Sequence, residues 1–205
     1  MNITLNHIGR RFNREWIFRA IDFTFVSGGR YAVLGPNGSG KSTLLNVLMG
    51  SLSPSEGTLA YTNMSVIKPE EVFRHLSFAA PYIDLVEEFT LAETIRFHFN
   101  FKGYCEGLDA AEVLRVLGME KAKDKALKHF SSGMKQRTKL ALACCSDAPL
   151  LILDEPTSNL DVEGVDWYRQ LIGSFGSNKT IIIGSNQEHE YTFCEAQLHI
   201  SAYKK

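Results

Sequence analysis

Gly35-Pro36-Asn37-Gly38-Ser39-Gly40-Lys41-Ser42, followed by Thr43, is the stretch that decides the reading of this chain. Before it, Tyr31 to Leu34 is a short apolar run of strand length; after it, Leu44, Leu45 and Leu48 fall on one helical face ahead of Gly50. Strand, glycine-rich loop and helix is the context in which GxxxxGK[ST] carries meaning. Glycines let successive main-chain N–H groups curl around an anion, and the helix that starts near Ser42 turns its positive end to the same point. Phosphate is the natural guest. Lys41 then reaches the β and γ phosphates of a nucleotide as a point charge, and the Ser42 hydroxyl is a ligand for Mg²⁺.

A second segment supplies carboxylates. Leu150-Leu151-Ile152-Leu153-Asp154-Glu155 is an apolar strand ending in two acids, as where a buried parallel strand delivers carboxylates to the edge of a sheet. A helix N-cap after a strand is the other meaning of such a pair. Beside a phosphate loop the chemistry divides: Asp154 organises Mg²⁺ and its waters, and Glu155 takes or orients the proton of an attacking water.

Around these motifs the pattern alternates. Ile3 to Ile8, then Ile21, Phe23 and Phe25, follow a period of two and predict an antiparallel N-terminal layer. Thr90 with Glu93 and Asp109 with Glu112 have capping-box spacing or its close analogue, and Gly118 suits a helix stop, so about 83–148 reads as a helical subdomain. A helix near Val162 to Phe175, an apolar run at Thr180 to Ile183 and a strand near Ala196 to Ile200 complete an α/β chain with a mostly parallel core sheet. At 205 residues, one domain spanning 1–205 is the expectation.

Composition excludes several classes. The net charge of −1 gives no broad attraction to nucleic acid or to an anionic membrane surface. The four cysteines, Cys105, Cys144, Cys145 and Cys194, show neither metal-ligand spacing nor CxxC, and read as reduced, mostly buried thiols. The opening MNITLNHIGRRF has no apolar run ahead of a small-residue cleavage site, and no apolar stretch is long enough to span a bilayer. Cytosolic residence is the expectation, with any membrane role exercised through a partner.

A third motif carries a resemblance. Phe130-Ser131-Ser132-Gly133-Met134-Lys135-Gln136-Arg137, ahead of the Asp154-Glu155 strand, is similar to the LSGGQ signature of the ABC transporter ATPase family, with Ser132 in place of the first glycine and Met134 in place of the glutamine. The likeness covers nearly the whole chain and implies the ABC type of P-loop NTPase fold, with an inserted helical subdomain and binding and hydrolysis of ATP with Mg²⁺. In that family the signature opens a helix that caps the γ-phosphate bound to the opposite subunit, which implies a dimer. It also implies separate membrane-spanning permease subunits, with this chain on their cytoplasmic side and Ile83 to Phe101 as the docking surface. Read alone, Ser131-Ser132 is an ordinary helix N-cap. Asp161, in Ser158-Asn159-Leu160-Asp161, resembles the family's interface-crossing D-loop and suits a helix cap equally. Phe12 lies about where the family places an aromatic that stacks on adenine, and Trp16 is the alternative.

Two departures stand out. The family's Q-loop glutamine would follow Leu76-Ser77-Phe78-Ala79-Ala80, where this chain has Pro81, which offers no side-chain oxygen. The family's switch histidine aligns with Asn186, which hydrogen-bonds but cannot take up a proton or a charge. Gln187 and His189 lie nearby. The expectation is hydrolysis that survives, slowed.

Overall fold

In the computed structural model, which describes residues 1–204, the chain runs β1 (Asn2–Phe12), β2 (Glu15–Phe25), β3 (Arg30–Leu34), α1 (Lys41–Leu48), β4 (Glu56–Asn63), β5 (Ser65–Ile67), β6 (Leu76–Ala79), α2 (Leu91–Phe99), α3 (Ala110–Leu117), α4 (Ser132–Cys144), β7 (Leu150–Asp154), α5 (Val162–Phe175), β8 (Thr180–Ser185) and β9 (Ala196–His199). It divides into two units. One takes Met1–Leu76, Pro149–Glu155 and Asn178 onward; the other takes Ser77–Ala148 and Pro156–Ser177.

The first unit holds two sheets. β1 lies between β2 and β4, with β5 beyond, in the antiparallel layer expected at the N-terminus; β4 and β5 were not foreseen. Simple alternation fails in two places, and the backbone shows why. Leu5 and Ile8 are both buried although three apart, because His7 sits at φ 54° in a bulge; Phe18 and Ile21 are both buried across a bulge at Ala20, φ 59°. Gly57 is required opposite the first bulge, since a Cβ there would meet the His7 carbonyl oxygen at 2.3 Å.

The second sheet is parallel. β3 pairs with β8 on one side and β9 on the other, and β7 pairs with β8. Every residue of β7 and β8 is buried, as the continuous apolar runs require of strands covered on both faces. α1 packs on β7 and β8, with Leu44, Leu45, Val47 and Leu48 inward.

The second unit is helical. Leu91 and Ile95 of α2, Val113 and Leu117 of α3, and Ala141 and Leu142 of α4 form its core with Leu127 and Phe130. Thr90 and Glu93 make a complete capping box at α2, Asp109 caps α3, and Gly118 ends α3 at φ 64°, all as the spacing predicted. Trp167 of α5 donates its indole N–H to the Val116 carbonyl at 2.8 Å, and the Arg137 guanidinium lies 4.6 Å from its ring centroid. Among the described residues no helix is long and apolar enough to cross a membrane.

His98 of α2 is set against Ser146 Oγ at 2.9 Å, and burial, helped by the Lys102 charge, lowers its pKa from the ordinary 6.5 to about 4. The folded state therefore prefers neutral imidazole, so the stabilisation is present above about pH 6.5 and is lost as pH falls toward 4. Urea titrations between pH 7 and pH 4.5 should show falling stability, and His98→Gln should flatten that slope. An unchanged slope in the variant would assign the acid sensitivity elsewhere.

Candidate functional site

The phosphate loop of the first unit is shaped by what its glycines omit. Gly38 and Gly40 lie at φ 75° and 104°, where a side chain is strained. At Gly40 a Cβ would also stand 2.5 Å from Ile17 Cγ2, and at Gly35 it would stand 2.5 Å from Ser39 Oγ. Ser39 Oγ is itself buried with no hydrogen-bond partner. The main chain turns back through the Ser39 N–H, which donates to the Pro36 carbonyl at 3.1 Å.

Lys41 is 4% exposed and its ammonium donates to the carbonyls of Gly35 (2.8 Å) and Pro36 (3.3 Å). The amine is thus folded back over the loop that it serves. α1 starts at Gly40 with no side-chain cap and no acid in its first turn, whereas Thr90, Asp109, Ser131 and Asp161 cap the other four helices. Its first N–H groups and its dipole are left for an anion.

Glu155 joins this place from β7. Its φ is 43°, a left-handed conformation rare outside glycine, and its N–H donates to the Gly184 carbonyl at 2.8 Å. Ile17, Asn37, Gly38, Gly40, Lys41, Ser42, Thr43 and Glu155 line one cleft of about 240 Å³. Ile17 escaped the sequence reading because nothing local distinguishes it from a core residue of β2.

Asp154, 1% exposed, lies one residue deeper. A Cβ on Gly184 would meet its Oδ1 at 2.8 Å and Leu45 Cδ1 at 2.7 Å, so the carboxylate lies close to α1, the helix that carries Ser42. Hydroxyl and carboxylate are hard oxygen donors and fit Mg²⁺, which keeps waters and substrate phosphates as the rest of its shell. Among the described residues no cluster of three or more His, Cys, Asp or Glu residues gathers.

Asn186 follows β8 and its side-chain amide donates to Asn37 Oδ1 at 3.1 Å, which brings the switch position to the loop. The turn that presents it is held from below. Ser185 Oγ donates to the carboxylate of fully buried Glu190 and accepts the Gln187 N–H at 2.8 Å. Phe12 sits at the β1–β2 hairpin, 46% exposed, and is not among the residues lining the cleft.

In the second unit, Ser131, Ser132, Gly133, Met134, Arg137, Asn159, Leu160 and Asp161 line another cleft, of about 300 Å³. Ser131 Oγ accepts the Met134 N–H at 3.2 Å and Asp161 accepts the Gly164 N–H at 2.8 Å, so both are helix caps. Gly133 permits close packing, since a Cβ would stand 3.0 Å from the Asn159 carbonyl oxygen. Gln136, not anticipated as a tie, donates to the Pro156 carbonyl at 2.9 Å. The Pro81 carbonyl accepts from Lys139 Nζ at 2.7 Å; burial lowers the pKa of that amine.

Gly184 yields a test. Alanine there collides with Leu45 and Asp154 together, so Gly184→Ala should lose about 1–3 kcal/mol of stability in urea denaturation. It should also weaken magnesium-dependent nucleotide binding. Wild-type stability would mean that α1 and β7 yield more easily than close packing allows.

Comparison with known proteins agrees with this geometry. The ABC transporter family model matches residues 18–158. The chain is similar to the lantibiotic transport ATP-binding protein SrtF of Streptococcus pyogenes, 29% identical over 190 residues, covering 90% of this chain and 80% of that protein. It is 34% identical over 179 residues to the cytochrome c biogenesis ATP-binding export protein CcmA of Bradyrhizobium diazoefficiens, covering 85% and 86%. The fold matches the dimeric structure of MJ0796, a bacterial ABC transporter cassette, with a TM-score of 0.79 at 22% identity, covering 97% and 95%.

Proposed function

Since this chain belongs to the ABC transporter family, as one of its ATP-binding subunits, we propose that it hydrolyses ATP in the cleft of the first unit to drive transport through separate membrane-spanning subunits. The observation that carries this reading is the convergence of Lys41, Ser42, Thr43 and Glu155 on one cleft at an uncapped helix start.

The main-chain N–H groups from Asn37 to Thr43 hold the phosphates, and Lys41 leaves the Gly35 and Pro36 carbonyls to neutralise the β and γ phosphates. Ser42 and Asp154 would hold Mg²⁺, whose charge would offset that on the phosphoryl oxygens. Glu155 accepts the proton of the attacking water as its oxygen bonds to the γ-phosphorus and the bridging P–O bond to the β-phosphate breaks. Asn186 donates a hydrogen bond from the loop side, without the charge of a protonated histidine.

A second copy presents Ser131 to Gly133 to the γ-phosphate, with Asp161 at the interface; the dimeric cassette to which the fold is similar supports this arrangement. Membrane attachment comes through the permease subunits on their cytoplasmic side, docked over Ile83 to Phe101, where Phe97 and Phe101 are exposed. The transport functions in the names of SrtF and CcmA support a transporter role. A nucleotide-gated binding module with weak turnover is the second reading, favoured by Asn186 and by the Lys139-bound Pro81 carbonyl. Phosphate release at saturating MgATP separates the two.

Lys41→Ala should abolish ATP binding in equilibrium dialysis. Glu155→Gln should retain binding while phosphate release drops by about 10²–10⁴-fold, the usual worth of a general base. Undiminished release in the glutamine variant would remove Glu155 from that role.

A further inference from the structure

A bulge sorts the cations and rings of the β1–β2 hairpin onto two sides. Phe12 pairs with Glu15, Arg11 with Trp16 and Arg10 with Phe18, so Ile17 is the extra residue, and Trp16 and Phe18 face opposite sides although two apart. Trp16 is covered by two guanidinium groups. That of Arg11 lies 5.4 Å from its ring centroid; that of Arg19, fixed to the Glu56 carboxylate by hydrogen bonds of 2.8 and 3.1 Å, lies at 4.6 Å.

Phe12 shares the other side with Arg10 and Phe18. Phe18 is fully buried beside the phosphate loop, where a Cβ on Gly40 would meet its Cδ1 at 3.5 Å. Phe12, then, is the hairpin ring on the side of the sheet that carries Phe18. The Arg10 guanidinium lies 4.5 Å from its centroid, and Arg10 Nη1 donates to the Ser53 carbonyl at 3.1 Å. Ser53 lies past the C-terminal end of α1, whose eight residues span about 12 Å, so this anchor sits at the end remote from the phosphate loop. Arg10 Nε is buried without an acceptor, which leaves the ring contact and the Ser53 bond to hold the group in place.

We propose that Arg10 is a positioning residue for the nucleotide base: tied to Ser53, its guanidinium backs the face of Phe12 remote from the phosphates and leaves the near face for a purine. This rests on the reading of the cleft as the nucleotide site. A ring held in one rotamer before binding loses less freedom when a base stacks on it. The cation on its far face draws on the ring's π density, so guanidinium, phenyl and purine form one stack. Trp16 has no such part.

The test compares MgATP with magnesium tripolyphosphate, which carries the phosphates and no base, by calorimetric titration of the purified chain. Arg10→Met, which keeps the apolar stem, should bind ATP about 3–5-fold more weakly and tripolyphosphate as the wild type does, the range expected for an exposed cation–π contact. Arg10→Lys should recover part of the loss, and Trp16→Phe should change neither affinity. Equal weakening toward both ligands would reduce Arg10 to a structural role and overturn the proposal, as would undiminished ATP affinity in Arg10→Met. If wild type binds tripolyphosphate as tightly as ATP, the base stack fails while the phosphate site stands; if it binds neither, the nucleotide reading itself fails.

Discussion

The first unit is organised around a loop whose glycines leave the main chain bare ahead of an uncapped helix start. Two glycines of the loop and one of β8 each leave their space to a different neighbour. Gly35 yields to Ser39 within the loop, Gly40 to Ile17 from the antiparallel sheet, and Gly184 to Asp154 and Leu45 in the parallel core. The absence of three side chains thus ties together two sheets and a helix. The Lys41 ammonium closes the arrangement by bonding to the carbonyls at the start of the loop. A buried ammonium without acceptors would be costly, and these two carbonyls supply its counter-dipoles.

Helix ends divide along the same physical line. Four helices satisfy part of their first turn with a side chain, and α1 does not. For α4 the Ser131 cap is compatible with an anion site, because a helix start has four N–H groups without intrahelical partners and the Ser131 hydroxyl takes only that of Met134. A helix cap and a ligand contact therefore do not compete for Ser131-Ser132-Gly133, and the same holds at Asp161, whose second carboxylate oxygen remains after Oδ1 accepts the Gly164 N–H.

What the sequence revealed was what chemistry keeps local. The phosphate loop, the Asp154-Glu155 strand end, the Thr90-Glu93 box and the Gly118 stop each consist of residues adjacent in the chain, and each stands where its spacing indicated. Features built from distant partners left no local trace. Ile17 at the cleft, the Gln136 bond to Pro156 and the Gly184 space for Asp154 exist only once strands and helices have paired. That Trp16 and Phe18 face opposite sides was beyond pattern reading for a sharper reason. A period of two places residues two apart on one face, and the bulge at Ile17 reverses that rule at the one point where the facing matters.

Asn186 and Pro81 differ in how the surrounding fold holds them. After β8 the backbone is clamped by Glu190, buried and bonded to Ser185, and the Asn186 amide is aimed at Asn37. The position thus keeps a directed donor while giving up a titratable charge, so its hydrogen bond is insensitive to pH where a histidine's would not be. At Pro81 no side chain stands in. Its carbonyl is bound by Lys139, an ammonium that burial makes easier to deprotonate, which fixes the main chain there. Both places are thus held by defined hydrogen bonds, one through a proline carbonyl and the other through a neutral side-chain amide.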